Sequence, residues 1–204
     1  MFCISNNCFS GFLYRQMEIQ YNHPFVWCRV TETDMLNMIL NWKSIKWSNF
    51  MVANDTTRNI PRIKVDGTFS IQYPHYIYSA DDIVPRTTVL ETNGAVNVRY
   101  CDPLNYASHK YENRIARMPS EMPAIVIIHD FFLPGQCDDG VLKQIATLCN
   151  EKHIKLFTIS CKRPFMQIVN TEWVHWIDLS TPFPILPEMV KTYKDELLSF
   201  IGQS

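Results

Sequence analysis

Glycine is scarce in this chain. Six occur in 204 residues, at Gly11, Gly67, Gly94, Gly135, Gly140 and Gly202, and no G-x-G exists anywhere. The dinucleotide fingerprint, whose glycines let a pyrophosphate approach bare backbone, is therefore excluded in its usual form. Gly135 and Gly140 have the gap of a phosphate-binding loop, but Val141-Leu142 follow where Lys-Ser/Thr is needed. Charge of either sign is also not in excess. Nineteen Lys and Arg stand against twenty Asp and Glu, a net charge of -1, so no global field selects nucleic acid or an anionic membrane as partner. No apolar run approaches the roughly 18 residues of a membrane-spanning helix, and no secretory leader pattern opens the chain. The seven cysteines, at positions 3, 8, 28, 101, 137, 149 and 161, form no C-x-x-C. H-E-x-x-H and D-x-D are absent as well. These absences predict no metal and no cofactor, and a cytoplasmic chain with reduced thiols.

What is present is an ordinary folded composition, 47% hydrophobic and 19% charged. It predicts one α/β domain over residues 1–204, able to bury roughly 70% of its unfolded surface. Residues 1–5 read as a buried strand that stops at Asn6-Asn7, followed by a loop over residues 7–14 leading into a short helix. Residues 25–30, rich in aromatic and β-branched types, read as a second strand. Thr31-Glu32-Thr33-Asp34 supplies helix N-cap chemistry before Met35, Met38, Ile39 and Trp42. Residues 50–95 alternate in short stretches broken by Asp66-Gly67 and prolines, the pattern of an irregular β-hairpin insertion.

Residues 96–101 read as a further strand, and Asp102-Pro103 as the start of a helix reaching about Met118. In the last third, Ala124-Ile125-Val126-Ile127-Ile128 is a continuous apolar run of the kind buried on both faces of a parallel sheet, ending in His129-Asp130. A helix from Asp138, a strand over residues 154–159 and a last helix over residues 187–201 follow. The order predicts a three-layer α/β/α fold with a largely parallel or mixed sheet and a hairpin-rich middle segment.

In open parallel sheets ligands bind beyond the carboxyl ends of the strands. Four predicted ends are polar: Asn6-Asn7-Cys8, Cys101-Asp102, His129-Asp130 and Ser160-Cys161-Lys162-Arg163. Cys8, between a strand and a helix N-terminus, is a candidate nucleophile whose thiolate the helix dipole favours. His129 and Asp130 are candidates for general-base work, although adjacent strand residues point to opposite faces. Lys110, Arg114 and Arg117 are spaced four and three apart, which puts all three along one helix face, an arrangement suited to a diphosphate or carboxylate. The stretch Tyr73 to Tyr78, with His75, is either a sugar-stacking surface or an aromatic hairpin packed on the sheet.

Two stretches resemble a bacterial domain of unknown function, family nineteen-nineteen, whose members are labelled exopolysaccharide biosynthesis proteins. The first is Ile4-Ser5-Asn6-Asn7-Cys8-Phe9-Ser10-Gly11, with Tyr14 after it and Tyr21-Asn22-His23-Pro24 further on. The second is Val98-Arg99-Tyr100, followed by Ala107, Lys110, Tyr111, Arg114 and Arg117. Arg99 stands where the family tends to have His, and Tyr111 where it tends to have Trp. The resemblance implies a three-layer α/β fold and a role in surface-polysaccharide assembly. It implies Asn6, Asn7, Gly11, Tyr14, Arg99, Tyr100, Lys110, Arg114 and Arg117 as substrate-binding positions, with a nucleotide-activated or lipid-linked sugar as partner. The expectation is a glycosyltransferase-like enzyme, or alternatively a non-catalytic carbohydrate-binding accessory of the same pathway.

Overall fold

Apolar runs too short for helices and hydrophobic at every position have only the inside of a sheet to go to, and residues 124–128 are the clearest case here. The computed structural model describes residues 2–19, 23–55, 60–73, 87–90, 96–99, 103–129, 139–160, 170–178 and 186–202. Strands β1 (Cys3–Ser5), β7 (Ile125–His129), β8 (Lys155–Ser160) and β9 (Val174–Asp178) form a parallel sheet in the order β1-β7-β8-β9. Ile4, Val126, Ile128, Leu156 and Val174 enter one core, with helices α2 (Glu32–Asn41) and α4 (Asp139–Glu151). Cys3, Ile125, Ile127, Phe157 and Ile159 enter the other, with α1 (Phe9–Gln16) and α5 (Leu186–Phe200). The period-two alternation of strands thus gives the expected three layers.

Each edge strand has an outer backbone N–H taken by a side chain. Cys3 N–H donates to the Tyr14 hydroxyl at 3.2 Å, and Trp176 N–H donates to Asn170 Oδ1 at 2.7 Å.

The expected hairpins of the middle segment are present. Strands β2 (Phe50–Asp55), β3 (Ile60–Val65) and β4 (Phe69–Gln72) form an antiparallel sheet, and Asp66 and Gly67 make the β3–β4 turn with φ of 47° and 69°. Helix α3 (Pro103–Ile115) lies against this sheet, with the Tyr111 ring 4.8 Å from that of Phe50. Strands β5 (Thr87–Leu90) and β6 (Val96–Arg99) pair antiparallel as a separate two-stranded sheet.

Three expectations change. Residues 25–30 are not a strand: Trp27 has φ of 56°, and the segment contributes one isolated bridge, Arg29 with Gln72. Phe25, Val26, Cys28 and Val30 are buried, so the β-forming composition reflects core packing and not a ladder. The long loop expected after β1 is short, since α1 begins at Phe9. Strand β6 lies outside the parallel sheet, so it does not bring the Cys101-Asp102 end to that sheet's edge; Cys101 and Asp102 themselves lie outside the described residues. Among the described residues no helix is long and apolar enough to cross a membrane.

Candidate functional site

At their carboxyl ends β1 and β7 send the chain to opposite faces: β1 runs into α1, and the next helix after β7 is α4, in the other core. Neighbouring parallel strands that part in this way leave a crevice between them. The residues that close β1 there are buried and bonded to one another. Ser5 Oγ accepts the Ser10 N–H at 3.0 Å and donates to the Asn7 carbonyl. Asn7 Oδ1 accepts the Phe9 N–H at 2.9 Å, which covers one of the orphan donors of α1. Cys8 occupies the N-cap position with no side-chain cap bond.

Asn6 joins β1 to the end of β7. Its Oδ1 accepts the His129 N–H at 3.0 Å, and its Nδ2 donates to the His129 carbonyl at 2.9 Å and to Glu32 Oε1 at 2.8 Å. The side-chain amide thus does for His129 what a further strand residue would do. Because Asn7 Oδ1 is committed to Phe9, its amide nitrogen is the atom that lies 3.0 Å from His129 Nδ1. An NH2 group there makes Nδ1 an acceptor, so the proton of the neutral ring sits on Nε2, which is a hydrogen-bond donor. Asn6, Glu32 and His129 are all nearly or wholly buried.

Lys110 and Arg114, one turn apart on α3, are completely buried. The Lys110 ammonium lies 5.2 Å and the Arg114 guanidinium 5.8 Å from the centre of the Tyr73 ring, and Arg114 Nη1 donates to the Val26 carbonyl. Arg117, the third member of the expected stripe, is exposed, and its Nε donates to the Asn113 carbonyl at 3.0 Å. The expected stripe is therefore broken: α3 ends at Ile115, short of Met118, so Lys110 and Arg114 are inward cations on the helix and Arg117 is an outward one in the turn after it. Burial pushes the Cys8 thiol up to about 12, outweighing the opposing pull of the Arg29 and Lys110 charges. The thiolate expected from the helix dipole is not favoured at this depth.

Tyr14 and His23 form a second buried pair behind β1. His23 Nδ1 accepts the Phe25 N–H at 3.2 Å, so its Nε2 faces the Tyr14 hydroxyl, 3.0 Å away, as a donor. Burial, and secondarily the Arg114 charge, hold the His23 ring down to about 3. Gly11 is inside α1, and its Cα lies under the Trp27 indole; a Cβ there would come within 2.5 Å of that ring. Close approach, not a turn, is what requires glycine at this position.

Asn6, Asn7, Cys8 and His129 are thus drawn together, with Lys110 near enough for its charge to act on Cys8. Asp130 and Tyr100 lie outside the described residues, and Arg99 is placed by its backbone opposite Thr87 in β6. Tyr73 is buried and donates to the Pro24 carbonyl at 2.7 Å, whereas residues 74–80 lie outside the described set. Sequence reasoning missed Glu32 and Arg29. In the sequence Glu32 reads only as cap chemistry, and its link to Asn6 spans 26 positions. Elsewhere, a groove of about 710 Å³ has Trp42, Trp47 and Met118 among its lining, with Lys43, Ser48 and Glu112 as polar members.

The molecule is thus an α/β protein with a buried polar network at the carboxyl end of a parallel sheet. Its residues 1–83 match the family model of a domain of unknown function, DUF1919, the family that the opening motif resembles. The matched part contains Asn6, Asn7, Cys8, Gly11, Tyr14 and His23; Lys110, Arg114 and His129 lie beyond it. No curated protein matches the chain.

Proposed function

We propose that this protein is a transferase of surface-polysaccharide assembly, acting on a nucleotide-activated or lipid-linked sugar at the crevice between β1 and β7. The observation that carries the reading is the burial of Lys110 and Arg114, one helical turn apart, with the Lys110 charge reaching Cys8, the neighbour of Asn7. Cations withdrawn from water act more strongly on a phosphorylated ligand than exposed ones do. The pathway comes from the family resemblance.

In this reading Asn6, Asn7 and Cys8 shape the crevice, and Lys110 and Arg114 supply positive potential to the phosphates, with Arg117 at the outer end. His129 Nε2–H gives a hydrogen bond to a developing oxyanion, and Asp130 takes the acceptor proton. Thermal-shift measurements against uridine-, guanosine- and thymidine-diphosphate sugars test it. At a hundredfold excess over Kd, binding adds about 2.7 kcal/mol, a rise of roughly 5–10 °C for a domain of this size. A flat response to every donor and to lipid-linked sugars sinks the reading.

A second reading, a non-catalytic carbohydrate-binding accessory, is supported by the tryptophan-lined groove. It predicts that oligosaccharides quench tryptophan fluorescence while no donor sugar is turned over.

A further inference from the structure

The antiparallel sheet β2-β3-β4 has two outer edges, and they differ. The β4 edge is closed: Ser70 donates its N–H to Asp34 Oδ1 at 3.1 Å, and Gln72 exchanges both backbone bonds with Arg29 at 2.7 and 2.8 Å. At the β2 edge the pattern is set by Pro61, whose carbonyl accepts the Tyr73 N–H at 3.2 Å and so points to the β4 side. Alternation points Ile63 and Val65 the same way. The residues opposite these three are Asn54, Val52 and Phe50, which therefore turn their own backbone groups outward. The next pair agrees, since the Asp66 N–H donates across to the Asn49 carbonyl at 2.7 Å. Among the described residues the N–H and carbonyl groups of Phe50 and Val52 take part in no hydrogen bond. Residues 50–54 also hold no proline, glycine or charge, the usual means of keeping a second strand away from an edge.

The strand is complementary to itself. Laid antiparallel about a two-fold axis at Val52, it puts Val52 opposite Val52, Phe50 opposite Asn54 and Met51 opposite Ala53, with no like charges facing each other. The outward N–H and carbonyl groups of one copy then meet those of the other. Met51, 67% exposed on the face away from α3, gains a neighbour, and Phe50 and Val52, half-buried on the α3 face, lose more of their contact with water. Lys64, which pairs with Met51 inside the sheet, stays one strand back from the seam. The helix layer matches as well. Helix α3 packs over β2 and β3, so its two copies come to lie two strand spacings apart, about 10 Å, which is the separation of packed helices. A six-residue seam alone is small beside the roughly 800 Å² per partner of a stable contact. The two abutting thirteen-residue helices add the second layer.

We propose that β2 is the seam of a symmetric dimer of this chain, in which the two three-stranded sheets join edge to edge and the α3 helices pack across the two-fold axis.

Sedimentation equilibrium of the full chain tests it, together with amide hydrogen exchange read residue by residue. At about 100 μM, where even a micromolar contact is assembled, the expected mass is twice that of the chain. The Phe50 and Val52 amides are expected to exchange at least tenfold more slowly there than in a dilute, monomeric sample. The double variant Met51→Lys/Ala53→Lys sets like charges opposite each other at two places in the seam and is expected to weaken the dimer at least tenfold. Met51→Glu/Ala53→Glu does the same alone. Mixing the two double variants is expected to restore a dimer, because positions 51 and 53 face each other in this register. Both side chains are exposed, and circular dichroism checks each fold; if a variant does not fold, amide exchange of the unaltered chain decides. A chain that stays monomeric at this concentration overturns the proposal and leaves the edge to a strand of another protein. A dimer that both double variants leave unchanged overturns it too, as does one whose Phe50 and Val52 amides exchange as fast as in the monomer, since either puts the contact on another face.

Discussion

The carboxyl end of the parallel sheet and the antiparallel half are both buried, yet different forces hold them. Around β1 and β7, Asn6 places one amide against both backbone groups of His129 and against Glu32. These contacts are directional, and the low local dielectric makes each one costly to lose. In the antiparallel half, Phe25, Trp42, Trp47 and Phe69 form a ring cluster, with the Trp42 and Trp47 centroids 4.7 Å apart and Trp47 5.7 Å from Phe69. Ring packing of this kind is dense but accepts substitutions that conserve volume. Chemistry that needs polar atoms held in fixed directions belongs to the first region, and the second supplies the bulk that keeps it in place.

The sharpest way to break this contrast is Asn6→Ala. It leaves the His129 N–H, the His129 carbonyl and Glu32 without their partner, and the expected loss is about 3–5 kcal/mol in urea unfolding followed by tryptophan fluorescence. A loss below that of a conservative ring exchange would invert the comparison. Next comes pH. The His23 ring titrates at about 3 in the folded chain and near 6.5 when unfolded, so the unfolded state binds the proton first. Stability from this group is complete above pH 6.5 and falls by about 1.4 kcal/mol per unit below it, flattening near pH 3. His23→Gln is expected to remove that slope from the pH dependence of unfolding.

Gly11→Ala is expected to cost about 1–3 kcal/mol, because the new methyl must displace the Trp27 ring. A blue or red shift of tryptophan emission at unchanged secondary structure reports that displacement. The smallest effect is reserved for the ring cluster: Trp47→Phe keeps a ring at a site that is only partly buried and should cost under about 1.5 kcal/mol. A larger loss there would mean that both halves depend on fixed geometry.

Much of the fold was legible. Strand β7 and helix α4 announce themselves by unbroken and by helical apolar spacing, and the Asp66-Gly67 turn by residue type. Strand β9 was not, because Val174, His175, Trp176, Ile177 and Asp178 mix polar and apolar residues at a sheet edge where one side of the backbone is covered by Asn170. Residues 25–30 misled for the opposite reason. Their composition suits a half-buried surface, and a surface of that kind arises in an irregular segment as readily as in a strand. Of the crevice, Asn6, Asn7, Cys8 and His129 were identified singly. Their partners Glu32 and Arg29 were not, since hydrogen bonding and proximity across folded layers leave no periodic trace in a chain.

By itself the sequence determined that Lys110 and Arg114, four apart on α3, share one helix face, because 3.6 residues per turn leaves no alternative. It likewise determined that Asn6 and Asn7 end a buried strand. Only the tertiary structure decided that Lys110 and Arg114 go under Tyr73 while Arg117 stays in water, and that Asn7 turns His129 Nε2 into a donor. Helical spacing is a local property of the backbone, whereas burial and protonation depend on which other segments arrive at the same place.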